Sequence, residues 1–185
     1  NWPTPEPPHR INQIYLEPLL QGHLATLDRV RLLNRHEVTG FAQDDDGVDT
    51  QVTDLASGAV ITFRTRYIVG CEGGRSLVRK AIGAQFLGTP VIQHVQSTCI
   101  HAPDLLARIP HPPAWGVYSI TPRRSGTLYA IDGVATWLVH NHVHPSEGDG
   151  AGVDRDQGIR DILGVGPDFH YEVVSKEDWV ARRLV

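Results

Sequence analysis

The chain has 185 residues, 41% of them hydrophobic and 21% charged, an ordinary composition with length for one or two cores. Its 17 Lys and Arg are dispersed and outweighed by 21 Asp and Glu for a net charge of -4, which leaves no basic patch for nucleic acid. No apolar run approaches the ~20 residues of a membrane span and no signal peptide opens the sequence, so no membrane partner is expected.

The first predicted element is a helix beginning just after Gln13, with Leu16, Leu19, Leu20, Leu24 and Leu27 as its apolar stripe and Pro18 tolerated in its first turn. Residues 30–33, 37–43, 48–55 and 60–66 then alternate apolar and polar, with turns at 44–47 and at Ser57-Gly58, and predict a β-meander. The run Asp44-Asp45-Asp46 is read as a solvated hairpin tip, because no further calcium ligands follow at EF-hand spacing.

Residues 67–83 carry the densest signal. Tyr67 to Cys71 is a short apolar run suited to a buried strand, Gly70, Gly73 and Gly74 permit a tight turn, and Ser76 is placed to cap a helix that Gly83 closes. The amides at such a helix start favour an anion.

Past Gly83, strands are predicted at 91–100, 114–120, 126–131 and 135–142, punctuated by a Pro-rich link at 109–113 and by turns at 123–126 and at Asp132-Gly133. They read as a second, antiparallel sheet. Asp154 is placed to cap a short helix carrying Ile159, Ile162 and Leu163 and ended by Gly164, and a last strand starts over 171–174. Strand alternation puts His140, His142 and His144 on one face; with no carboxylate or thiolate nearby to complete a site, no metal is assigned to them. Ser76 lies outside any nucleophile elbow, which argues against a hydrolase. Cys71 and Cys99 make neither a CxxC pair nor a disulfide framework, which fits a reducing cytoplasm.

Gly70, Glu72, Gly73, Ser76 and Arg79 follow a Gly-x-Asp-Gly-x-x-Ser-x-x-Arg pattern with Glu in place of Asp, and Arg10, Gln13, Leu16 and Glu17 follow Arg-x-x-Gln-x-x-Leu-Glu. On these two stretches the chain resembles the FAD-dependent aromatic hydroxylases, group A flavoprotein monooxygenases of the p-hydroxybenzoate hydroxylase fold, in the manner of phenol and polyketide hydroxylases. The resemblance implies an α+β fragment of an α/β FAD-binding fold: meander, strand-turn-helix, then a mostly antiparallel substrate-type sheet. It implies a partial FAD-binding domain over 1–90, without the family's opening Gly-x-Gly-x-x-Gly, and a substrate-binding sheet over 91–185 that stops before the family's Gly-Asp segment. A chain that starts at Asn1 and holds no Met is likewise expected to be a piece of a longer product.

By the same resemblance Arg10, Gln13, Glu72, Gly73 and Arg79 are cofactor-binding candidates, and Trp115, Tyr118, Tyr129 and Trp137 are candidates to line an aromatic pocket, core packing being the alternative for each. No catalytic residue is assigned, because the flavin would carry the chemistry, reduced by NAD(P)H and reacting with O2 to hydroxylate a phenolic or polyketide ring. The fragment itself is expected to be inactive and to bind FAD weakly or not at all. Cut edges make a homo-oligomer possible. The alternatives are a non-catalytic binding or dimerisation module derived from the same fold, and a related flavin-dependent halogenase or reductase.

Overall fold

The computed structural model describes residues 3–7 and 9–185, and the chain divides into two compact units, one ending at Gln85 and one spanning Phe86–Val185. The break precedes β4, which begins at Gly88, so residues 88–90 belong to the second unit's sheet.

In the first unit, helix α1 runs Gln13–Leu24 and buries none of its residues; Leu19 and Leu20 are 66% and 51% exposed. The expected apolar stripe exists in sequence, but nothing in this unit covers it. Pro18 lies in the second turn rather than the first, where it withholds an amide from the helix ladder. The meander is the antiparallel sheet β1 (His36–Gln43), β2 (Val48–Asp54) and β3 (Val60–Thr65), in that order. Residues 30–33 do not join it as the alternation suggested. They run irregularly into a turn at Asn34-Arg35, where Arg35 takes a left-handed φ of 58° and its carbonyl accepts from the Leu55 amide. At the tip between β1 and β2, Asp44 accepts from the amides of Asp46 and Gly47 and from Arg64, and the Arg64 hydrogen bond, with the Asp46 amide next, pulls its carboxyl down to about 2.

Residues 67–72 form no strand, which corrects the expectation for 67–71. Tyr67 and Val69 stand 79% and 80% exposed: among the described residues no neighbouring strand supplies ladder hydrogen bonds, and an apolar run without such a partner does not become a strand. A single 3-10 turn at Gly73–Arg75 leads into α2 (Leu77–Ala81), and Gly83, at φ 74°, follows its end.

The second unit is a five-stranded antiparallel sheet in the order β5-β6-β7-β4-β8, built from β4 (Gly88–His101), β5 (Gly116–Ile120), β6 (Ser125–Ala130), β7 (Thr136–His142) and β8 (Glu172–Leu184). Between β4 and β5 lies α3 (Leu105–Arg108), and between β7 and β8 lies α4 (Arg155–Leu163), capped by Asp154 through the Gln157 amide at 3.1 Å and ended by Gly164 at φ 66°. One face of the sheet meets α3, α4 and the Phe169 loop, where Ile100, Leu105, Leu128, Trp137, Val139, Ile159, Ile162 and Phe169 form the core. Each such side chain contributes about 1.5–3 kcal/mol of burial. Two glycines make this fit possible: a Cβ on Gly126 would come 2.5 Å from Ile162 Cδ1, and one on Gly158 would come 2.6 Å from Asn141 Nδ2.

Together the units make a mixed α+β chain with two antiparallel sheets.

Candidate functional site

Period-2 alternation sorts the residues of β7 cleanly: Trp137, Val139 and Asn141 are buried against the core, while Leu138, His140 and His142 turn to the other, open face. Pairing carries this parity across the sheet, because directly opposed residues share a face. Tyr129 stands opposite Leu138, Tyr118 opposite Thr127 and thence His140, and Trp179 opposite Val95 and thence His142.

Four rings form a row on that open face. Trp115 stacks on Tyr129 with centroids 5.2 Å apart and planes at 20°; Tyr129 meets His140 edge-on at 5.4 Å and 69°; His140 meets Trp179 edge-on at 5.6 Å and 74°. These distances and angles lie in the range in which ring quadrupoles attract. Small residues make room for the row: a Cβ on Gly116 would come within 3.0 Å of the Tyr129 ring, and Ser97 on β4, the cross-strand partner of His140, separates that histidine from Trp179. Trp115 and Trp179 remain 48% and 42% exposed, so the row presents ring surface to solvent.

Tyr118 shares the open face and is exposed, while Trp137 does not share it. Trp137 is 2% exposed in the core, its Nε1 donating to the Ala102 carbonyl at 3.3 Å, so it cannot touch a ligand lying on the open face. His140 and Trp179 complete the row in positions the sequence reading did not pick for a pocket. Parity was the available signal within β7: a residue of that strand an odd number of places from Trp137, such as His140, lies on the other side of the sheet.

Burial, and then the neighbouring His142, depress the basicity of His140, and burial does the same for His142. Thr127, opposite His140, keeps its hydroxyl buried without a hydrogen-bond partner. Next to His142 a cleft of about 470 Å³ opens, bordered by Gln93, Arg123, Arg124, His144 and Glu147. Its wall is held by the two-pronged ion pair of Arg124 with Glu147 at 2.7 and 2.9 Å and by the Glu147 carboxylate accepting from the His144 amide at 2.8 Å. His144 has left the strand; its Nδ1 accepts from the Ser146 amide, so the expected three-histidine face reduces to two.

In the first unit the glycine turn is organised from within. The Ser76 hydroxyl accepts from the Arg79 amide at 3.0 Å and donates to Glu72 Oε2 at 2.8 Å, and Glu72 Oε1 accepts from the Val78 amide at 3.1 Å. Hydrogen bonds from its own amide first, then from the Val78 amide and the Ser76 hydroxyl, hold the Glu72 carboxyl below its usual range. The negative charge at this helix start is therefore the Glu72 carboxylate, which reaches both the Ser76 hydroxyl and the Val78 amide. Gly70 allows that return, since a Cβ there would lie 2.7 Å from Glu72 Oε2. Arg79 donates back to the Ala84 and Gly74 carbonyls at 2.9 and 3.5 Å. Gln13 donates to Glu17 on the helix surface, and Arg10 is exposed ahead of α1.

For FAD, these residues fit in part. Nothing lies within 4 Å of where a Cβ on Gly73 or Gly74 would sit, so a flat group can approach that side of the turn, but the Val78 and Arg79 amides at the start of α2 are already taken.

This architecture is that of flavin-dependent monooxygenases. The crystal structure of the flavin-dependent monooxygenase PieE in complex with FAD and substrate superposes with a TM-score of 0.79 at 25% identity, over 95% of this chain and 31% of that one. Residues 3–160 match the family described as FAD binding domain, and the chain belongs to that family. Rifampicin monooxygenase of Streptomyces venezuelae is 41% identical over 80 residues, 43% of this chain and 16% of the relative. Aklavinone 12-hydroxylase DnrF of Streptomyces peucetius is 32% identical over 129 residues, 70% of this chain and 26% of the relative. The chain thus spans well under a third of these curated relatives' length. Among the described residues no helix is long and apolar enough to cross a membrane.

Proposed function

We propose that this chain supplies the substrate sheet and one cofactor-facing turn of an FAD-dependent monooxygenase that hydroxylates a phenolic or polyketide-type aromatic ring. The observation that carries this reading is the row Trp115–Tyr129–His140–Trp179 on the open face of the five-stranded sheet. A row of rings whose outer members are half exposed offers stacking and edge contacts to a flat multi-ring ligand, and each such contact is worth about 0.5–1.5 kcal/mol beyond area burial. Membership in the FAD binding domain family, and relatives named as hydroxylases and monooxygenases, support the chemistry.

When bound, FAD would supply the redox and oxygen chemistry, with NAD(P)H as its reductant. The chain's own residues do the rest. Glu72 and Ser76 fix the turn so that the Gly73 and Gly74 backbone can lie against the cofactor, Arg79 ties the far side of that turn, and Arg10 and Gln13 offer polar contacts from the first segment. On the sheet, Trp115, Tyr118, Tyr129 and Trp179 orient the ring. Cytoplasmic residence and self-association of subunits belong to the same proposal.

The test is oxygen consumption by a family-length polypeptide containing this chain, loaded with FAD and given NADH or NADPH. Stimulation by a polycyclic phenol, with one atom of O2 entering the ring, is expected. Reductant oxidation that no aromatic compound stimulates would overturn the reading.

A further inference from the structure

His140 is the one member of the aromatic row that carries heteroatoms able to accept a hydrogen bond within its ring. Among the described residues neither of its ring nitrogens has a hydrogen-bond partner, and neither is sealed from solvent, although the residue as a whole is half buried. Its two ring contacts, with Tyr129 and Trp179, are edge-on and brace the plane of the imidazole from both sides. A half-buried imidazole that the protein holds in place without a hydrogen-bond partner meets only solvent, and a ligand's O–H can replace that water in a bond worth about 1 kcal/mol net.

We propose that His140 is the recognition residue for a ring hydroxyl, its unprotonated nitrogen accepting the O–H of a hydroxylated aromatic substrate laid along the row. This rests on the reading of the open face as the substrate surface and adds what that reading lacks: a reason for a hydroxylated ring to be preferred over a bare one. An acceptor is needed because a phenol's distinguishing group is a donor, and no carboxylate competes at that point. The nearest one by register is Glu177 on β8, beyond Ser97 and exposed; the other titratable groups on this face are His142 on β7, Tyr129 on β6, Tyr118 on β5, Cys99 and His101 on β4 and, opposite His101, Glu172 on β8. Burial and His142 both disfavour the imidazolium, so the acceptor form prevails at neutral pH.

Equilibrium dialysis of the 185-residue chain with 2-naphthol and, separately, its methyl ether tests this. The phenol is expected to bind about tenfold more tightly, the ratio a single hydrogen bond of ~1.4 kcal/mol gives. In His140→Phe, which keeps a ring in the row, the phenol should fall to the affinity of the ether while the ether is unchanged. His140→Gln, with an amide oxygen as acceptor, should restore part of the ratio, and in the native chain the ratio should shrink as acid protonates the imidazole. Equal binding of phenol and ether by the native chain, or a ratio that His140→Phe leaves intact in a variant with native circular dichroism, overturns the proposal while leaving the open face as the aromatic site. Failure of both compounds to bind removes the aromatic face itself and the proposal with it.

Discussion

Replacing Trp137 and replacing Trp115 should have very unequal consequences, although both tryptophans belong to the second unit, one on β7 and one just ahead of β5. Trp137 is 2% exposed, lies in the cluster with Ile100, Leu128, Val139 and Ile159, and donates to the Ala102 carbonyl, so truncation leaves a large cavity and an unpaired acceptor. Trp137→Ala should cost about 3–5 kcal/mol. At roughly 4–8 °C per kcal/mol for a unit of this size, its thermal midpoint should fall by upward of about 12 °C. Trp115 is 48% exposed and contributes its stack on Tyr129, worth about 0.5–1.5 kcal/mol, so by the same conversion Trp115→Ala should move the midpoint by about 2–12 °C, less than Trp137→Ala. Thermal unfolding followed by near-ultraviolet circular dichroism reports both, and Trp137→Phe gives an intermediate value if the alanine variant does not fold. Equal costs for the two alanine variants would refute the two-faced description of the sheet.

Ser76→Ala should loosen the glycine turn by about 1 kcal/mol through loss of the Arg79 amide's acceptor, with hydrogen exchange rising over residues 72–81 and staying flat in the second unit; protection that does not change there would contradict the internal cap. Gly126→Ala should destabilise the second unit by about 1–3 kcal/mol, because the new methyl collides with Ile162 and the His140 carbonyl, and a neutral outcome in urea titration would show that α4 does not sit where described. His140 and His142 have folded pKa values lowered by burial, so the unfolded chain takes up protons first on acidification; their contribution to stability is present above about 6.5 and is lost as pH falls through the folded values. Thermal midpoints should therefore drop between pH 7 and pH 5, less so in a variant with both residues changed to Phe, and an equal drop in that variant would be contrary to the account. Adding a chelator should leave the midpoint unchanged, and a large fall reversed by zinc would reassign the histidines as ligands.

The second sheet was largely legible because each of its strands announces itself locally, by alternation bounded with Gly, Pro or Asp, and because Asp154 and Gly164 are unambiguous ends for α4. Residues 67–71 were legible as a strand in composition but not in outcome, since a strand is a pairing and its composition does not state whether a partner lies alongside. The same holds for the leucines of α1, which form a stripe with nothing of the first unit against it. Glu72 illustrates a different gap: the motif located the residue, whereas the direction its carboxylate takes depends on Ser76 and on the Gly70 backbone, which only the folded turn displays. In the site, the aromatic residues were visible, and within β7 parity puts His140 opposite to Trp137, whereas the side taken by Tyr129, Tyr118 and Trp179 depends on the cross-strand register. The contact of His140 with Trp179 was not legible, because it joins residues from β7 and β8 across the intervening β4.

The most direct test of the open aromatic face is a map of chemical-shift changes in the 185-residue chain on titration with a fused-ring phenol. Shifts concentrated at Trp115, Tyr129, His140 and Trp179, with Trp137, Leu128 and Val139 unmoved, are the result expected from their placement. Shifts centred instead on the groove that Leu105, Ile109, Ile120 and Leu163 border, or no saturable shifts at all, would contradict it.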